Sequence, residues 1–190
     1  QQHRPEILVM EPATVTYQDD LAVARALQQT CGTRVIFVGQ HASAFPAETL
    51  ADGIDYVCVG EYEYTVLDIV SGKPPREILG LYPNGRRPLL DVDTLPFPED
   101  NDISRWDYRN IPGSDYQEIE MFASRGCTMS CVFCVCRHLY YDQPNWRPRN
   151  VGSIIEEIRY LKNKYPLMEG VFFDEEDHNT QKSFIMALTK

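Results

Sequence analysis

The run Glu118-Ile-Glu-Met-Phe-Ala-Ser-Arg-Gly-Cys127-Thr-Met-Ser-Cys131-Val-Phe-Cys134 decides how this chain is read. Its first seven residues, EIEMFAS, read as a strand, and three cysteines at CxxxCxxC spacing follow almost at once. Three thiolates so close in sequence can wrap one face of a small metal cluster. Clustered cysteines of this kind ligate iron–sulfur centres. A four-iron cubane held by three protein thiolates keeps one iron open to a molecule that reacts.

Plainer fates stay open for the trio. The cysteines could be buried small hydrophobes, disulfide partners or part of a zinc knuckle, with Cys136 or His138 closing a fourth position. Three in one loop past a strand end make a poor packing motif, and disulfides are disfavoured in a reducing compartment. Cys136 is expected outside the cluster, since a CxC spacing strains a second ligand. Cys31 and Cys58 fall at a helix end and in a strand, and read as packing residues.

Working outward, 190 residues with 43% hydrophobic content suffice for one domain or two small ones. Eighteen basic against 28 acidic side chains leave a net charge of −10. That argues against nucleic acid as the main partner. No apolar run reaches the length of a membrane span, and the opening QQHRPEILVM lacks the apolar stretch of a signal peptide. Six cysteines without an export signal point to the cytoplasm.

The chain divides by pattern into three parts. In residues 1–72, apolar runs at Ile7–Met10, Arg34–Val38 and Asp55–Val59 alternate with helical patterns that begin near Asp19 and Glu63. Glycines stand behind the elements. Ile7–Met10 suits a strand buried on both faces. The whole predicts a partial, doubly wound parallel sheet of Rossmann-like type. Ligands on such sheets sit beyond the carboxyl ends of the strands, so Gly39, His41, Gly60 and Glu61 would line the mouth. Residues 73–117 are proline-rich. Asn84-Gly85 predicts a hairpin between Ile78–Tyr82 and Leu89–Val92, and the rest reads as linker anchored by Trp106, Tyr108 and Tyr116.

Residues 118–190 predict a βαβα run. After the cysteine loop, Val151, Ile154, Ile155, Ile158 and Leu161 share one helical face. Either Asn150 or a Ser153–Glu156 capping box would start that helix. Gly170–Phe173 is then a strand, running into Asp174-Glu-Glu-Asp-His178, and Thr180 would cap a last helix to Lys190. These are the first βα units of a partial TIM-type barrel, with the cysteines and the acids both at strand carboxyl ends, where such barrels carry chemistry. Two such units do not close a barrel, so the chain reads as a segment of a longer protein.

With those residues in view, the chain resembles radical S-adenosylmethionine (SAM) enzymes that carry an N-terminal cobalamin-binding-type domain. The likeness rests on SRGCTMSCVFC, with VGQHAS, VGEYE, LPFP, RPRNVGSIIEEI and VFFDEEDHNT in support. The resemblance implies a 4Fe–4S cluster on Cys127, Cys131 and Cys134, with SAM on the open iron. It further implies reductive cleavage to a 5′-deoxyadenosyl radical, with an electron donor such as flavodoxin or ferredoxin and a small-molecule substrate. Phe133 holds the aromatic position before the third cysteine. Glu175 and Glu176 fall where paired acids hold the methionyl amino group. Cobalamin-dependent methylation of an unactivated carbon is the implied reaction, with cyclisation or rearrangement as the runner-up and a zinc module or catalytically silent fragment as rivals. Two positions depart from the pattern. Gly39-Gln40 replaces a glycine pair, and Glu11 replaces a small polar residue.

Overall fold

A computed structural model of the chain describes residues 4–109, 113, 115–141 and 144–189. The linker positions 110–112 and 114, and the expected helix end at Lys190, lie outside the described residues. The fold is mixed α/β with parallel strand pairs. Two compact units emerge, one of Gln1–Leu89 with Cys131–Gln143, the other of Leu90–Ser130 with Pro144–Lys190. Residues 73–89 thus belong to the first unit and 90–117 to the second.

In the first unit, β1 (Ile7–Met10), β2 (Arg34–Phe37) and β3 (Tyr56–Val57) form a parallel sheet in that order. The β-branched and aromatic run Val35-Ile36-Phe37 takes the centre and is fully buried, as a strand covered on both faces must be. β1 is the edge, and Val9 is 41% exposed, so the expectation of burial on both its faces is corrected. α1 (Tyr17–Cys31) lays Tyr17, Leu21 and Ala24 on one face of the sheet against Val35 and Phe37. Gly32 stops it in a left-handed conformation at φ 70°, its N–H donating to Gln28 O. α4 (Glu63–Val70) covers the other face, where Ile69 packs with Ile36, Val38 and Cys58.

The pattern missed α2 (Gly39–Ala44) and α3 (Pro46–Ala51), six residues each. Helices this short show no amphipathic period to read. The predicted hairpin is also corrected. Leu81 bridges Cys58, with Val59 N donating to Gly80 O at 2.8 Å and Tyr82 N to Val57 O at 2.9 Å. The segment therefore pairs antiparallel with β3 and not with Leu89–Val92. An open strand edge with unpaired amides, and burial of Ile78 and Leu81 against Ile36 and Val38, outbid the local turn signal. Asn84 still turns the chain, its N–H bonded to Leu81 O at 2.7 Å.

In the second unit β4 (Glu118–Met121) and β7 (Gly170–Phe173) pair in parallel, Glu118 opposite Gly170 and Met121 opposite Phe173. The strand expected to reach Ser124 breaks after Met121. Ser124–Arg125 forms β5, antiparallel to β6 (Arg147–Pro148). α5 (Val151–Lys164) crosses between β4 and β7, capped by the Asn150 side chain on Gly152 N at 2.8 Å. The Ser153–Glu156 capping box is thus not the cap. Its buried stripe is Ile154, Glu157 and Leu161, packed with Ile119, Met121 and Ala123. α6 (Lys182–Leu188) follows Gln181, with no side-chain cap, so Thr180 does not take that role. Trp106 stacks on Tyr165 at 5.7 Å. Tyr108 and Tyr116 are exposed and so are not buried anchors.

Candidate functional site

The second unit gathers the end of β4 and the acidic turn after β7. Parallel pairing puts both strands' carboxyl ends side by side, which is what makes neighbours of residues about fifty positions apart. Glu175 turns inward from that turn, its side chain fully buried. Its carboxylate accepts from Ala123 N at 2.7 Å, from Ser124 N at 3.1 Å and from the Ser124 hydroxyl. Glu176 Oε2 accepts from Gly126 N at 3.2 Å. Asp177 Oδ2 lies 3.8 Å from Cys127 Sγ. His178 stacks on Phe173 at 4.9 Å, with Nδ1 3.4 Å from Glu175 Oε1.

Two residues that the pattern did not single out close this arrangement. Trp146 donates its indole N–H to Ser124 Oγ at 3.0 Å and to Asp177 O at 2.8 Å, while its ring meets Phe184 edge-on. Asn145 N donates to Cys127 O at 3.0 Å. A largely packed tryptophan has to find a partner for its N–H. That requirement, applied to Trp146, is the signal that could have marked it.

The cysteines are all free thiols. Cys127 belongs to the second unit, where its sulfur accepts from Met129 N at 3.4 Å. Cys131 and Cys134 belong to the first, joined by Cys134 N donating to Cys131 O at 3.1 Å. Phe133 is 88% exposed. Among the described residues, no three His, Cys, Asp or Glu side chains are gathered as a metal site. By residue type the three are soft donors of the kind a thiolate-held cluster uses, each partly exposed and outside any disulfide. A zinc site would draw on Cys136 or His138, but Cys136 Sγ takes a bond from Gln40 Nε2 at 3.6 Å and His138 Nε2 pairs with Cys131 O at 3.2 Å.

The mouth residues of the first sheet do not fit cobalamin. Gly39 has φ +82°, and the space a Cβ would take there is filled by the Glu11 side chain. His41 is buried between the rings of Tyr17 and Phe45, and its Nδ1 meets Thr14 Oγ1 at 3.1 Å. Burial pushes its pKa down. Gly60 N–H is taken by Ser43 Oγ at 2.9 Å, and the position of its missing Cβ stands 3.3 Å from Tyr140 O. Glu61 is buried. The Glu11 side chain and Ser43 thus engage the two glycines of the mouth, which leaves no open glycine cradle there, and no step is derived through cobalamin.

Beside Ser124 and Arg125 opens a cavity of about 440 Å³. Leu95, Pro96, Ile103, Tyr108 and Phe122 line it. Of its charged wall groups, Arg105 and Arg149 both pair with Glu157, while Glu99, Glu120 and Arg125 also line it. The space that remains is largely apolar.

No family model matches the chain. It is 30% identical over 187 residues to an uncharacterized methyltransferase of Pyrococcus horikoshii, covering 90% of this chain and 40% of that protein. An uncharacterized methyltransferase of Synechocystis is 26% identical over 154 residues, 81% of this chain and 26% of the relative. Cytidylyl-2-hydroxyethylphosphonate methyltransferase of Streptomyces wedmorensis is 27% identical over 185 residues, 75% of this chain and 34% of that enzyme. The chain therefore spans well under half the length of these curated relatives.

Proposed function

We propose that this chain, similar along most of its length to proteins named methyltransferases, carries the cofactor-facing part of a SAM-dependent methyltransferase of the radical type. In this reading the second unit supplies the opening βα units of a partial barrel. Cys127, Cys131 and Cys134 hold a 4Fe–4S cluster. The cluster would supply the electron for reductive cleavage of one SAM to methionine and a 5′-deoxyadenosyl radical, which would take a hydrogen atom from the substrate. A second SAM would supply the methyl group and leave as S-adenosylhomocysteine, and a flavodoxin- or ferredoxin-like donor would deliver the two electrons that balance the sequence. One observation carries the methyl-transfer part, the similarity over 90% of the chain to the Pyrococcus protein.

The chain's own residues then have separate tasks. Glu176, with one oxygen on Gly126 N, keeps a carboxylate beside the cysteine turn and would attract the methionyl ammonium group. Phe133, open to solvent, would cover bound ligand. The apolar cavity beside Ser124 suits an apolar portion of a small-molecule substrate. Cobalamin is left out of this reading, because the Glu11 side chain fills the space beside Gly39.

The test is anaerobic reconstitution of the full-length protein with iron and sulfide, followed by reduction in the presence of methyl-labelled SAM. The expected result is broad visible absorption lost in Cys→Ala variants of the trio, and label in a small-molecule acceptor. Stoichiometric zinc without that absorption would overturn the cluster, and SAM consumption without label transfer would overturn methylation.

A further inference from the structure

Cys127 sits where four separate tethers converge. β5 pairs with β6 across Ser124–Pro148 and Arg125–Arg147. Asn145 N holds Cys127 O, and Glu176 holds Gly126 N. The fourth tether runs from the acidic turn, where buried Glu175 binds Ala123 N, Ser124 N and the Ser124 hydroxyl. Trp146 locks this last one by donating at once to Ser124 Oγ and to Asp177 O. A fully buried carboxylate spent on three donors has little left for a ligand.

We propose that Glu175 and Trp146 are positioning residues, which set the backbone from Ala123 to Cys127 and so fix the first cysteine of the trio, and that neither touches SAM or substrate. The proposal rests on the reading that Cys127 is a cluster ligand. Its physics is preorganisation. A ligand held by neighbours whose own bonds are satisfied does not need ordering when the group binds. Glu175 also explains why the strand breaks at Met121. Its carboxylate takes the Ala123 and Ser124 amides that a longer β4 would have offered to a neighbour.

The test needs no cluster. In the metal-free, reduced chain, iodoacetamide labelling followed by peptide mass spectrometry gives a separate rate for each cysteine. Thiol labelling in a folded protein follows local opening. Trp146→Phe keeps the aromatic packing on Phe184 but removes the N–H, and Glu175→Gln replaces an acceptor with a donor facing donors. Each variant is expected to raise the Cys127 rate about tenfold, the scale set by loss of a hydrogen bond to a charged or buried partner. The Cys131 and Cys134 rates should stay within about twofold, the scatter of sites with no shared partners. A Cys127 rate unchanged in Trp146→Phe, or equal rises at all three cysteines, would overturn the proposal. Should Glu175→Gln fail to fold, Trp146→Phe decides by itself. In reconstituted full-length protein, Glu175→Gln should weaken SAM and methylthioadenosine, which lacks the amino acid part, by the same factor. Selective loss of SAM would make Glu175 a ligand after all. Wild-type protein that takes up no cluster would overturn the functional reading, while the labelling result still stands on its own.

Discussion

Arg105 donates Nη1 to Glu157 Oε1 at 2.7 Å, fastening the proline-rich segment to the buried stripe of α5. The same guanidinium grips Asp100 with two parallel bonds, Nε to Oδ1 at 3.0 Å and Nη2 to Oδ2 at 2.7 Å. Arg149 closes the set on the other oxygen of Glu157 at 2.7 Å. Two positive and two negative groups, all largely buried, thus compensate one another.

Removing Arg105 leaves the buried Asp100 without its two-pronged partner and Glu157 with Arg149 alone. Arg105→Ala is expected to destabilise the second unit by about 3–5 kcal/mol, the usual cost of breaking a buried pair. Chemical denaturation followed by Trp106 and Trp146 fluorescence would measure it. Arg105→Lys should recover only part of the loss, because an ammonium cannot form the two-pronged contact with Asp100.

The same network sets an acid limit. Burial works to raise the pKa of Asp100, but the hydrogen bonds and charge of Arg105 outweigh it and hold the carboxyl below its ordinary value of 3.8. A depressed carboxylate stabilises the fold at any pH above its unfolded pKa, and that contribution is lost as pH falls through the folded one. Unfolding free energy should therefore decline below about pH 4. In Asp100→Asn the baseline should be lower and the decline shallower. A wild-type profile identical in slope to that variant would refute the assignment.

Gly126 should tolerate no side chain. Its φ is +87°, and a Cβ there would strike the Asn145 side chain and stand 2.7 Å from Asn145 O. Gly126→Ala is expected to cost at least about 1–2 kcal/mol from the left-handed backbone, with the collision added. Thermal unfolding of that variant beside Gly113→Ala, where nothing crowds a φ of +87°, separates collision from backbone strain.

Cys58 gives an internal reference for cysteine chemistry. Burial pushes its thiol up to about 12, so almost no thiolate exists near neutral pH. It should label with iodoacetamide only as fast as the first unit unfolds globally. The partly exposed Cys127, Cys131 and Cys134 should label without global unfolding.

Hydroxocobalamin should fail to co-elute with the protein in gel filtration. Glu11→Ser removes the side chain that fills the space over Gly39. If that residue is the obstacle, the variant should gain measurable retention. Retention by the unaltered protein would show that Glu11 is no obstacle and return cobalamin to the reading.

Much of the fold could be read along the chain, because its signals are local. The burial of Val35–Phe37, the helix of Val151–Lys164 and the left-handed stop at Gly32 each follow from the order of apolar and turn residues over one element. The hairpin at Asn84-Gly85 misled, since a dipeptide says that the chain turns but not which strand edge it then meets. Glu157 gave no local signal at all. A charge on an apolar face looks like a defect until Arg105 and Arg149, distant in sequence, arrive to neutralise it.

The candidate site divides along the same line. Spacing and residue type picked out the three thiols and the run of acids, because metal affinity and charge belong to side chains whatever their surroundings. Which acid is spent on the backbone, whether a glycine cradle stands open, and what holds Cys127 are settled by parallel pairing of β4 with β7 and by the reach of Trp146 and Glu11. Those are relations between distant residues. Their energies arise only when folding brings partners within hydrogen-bond range and takes water away, so no linear order of residues contains them.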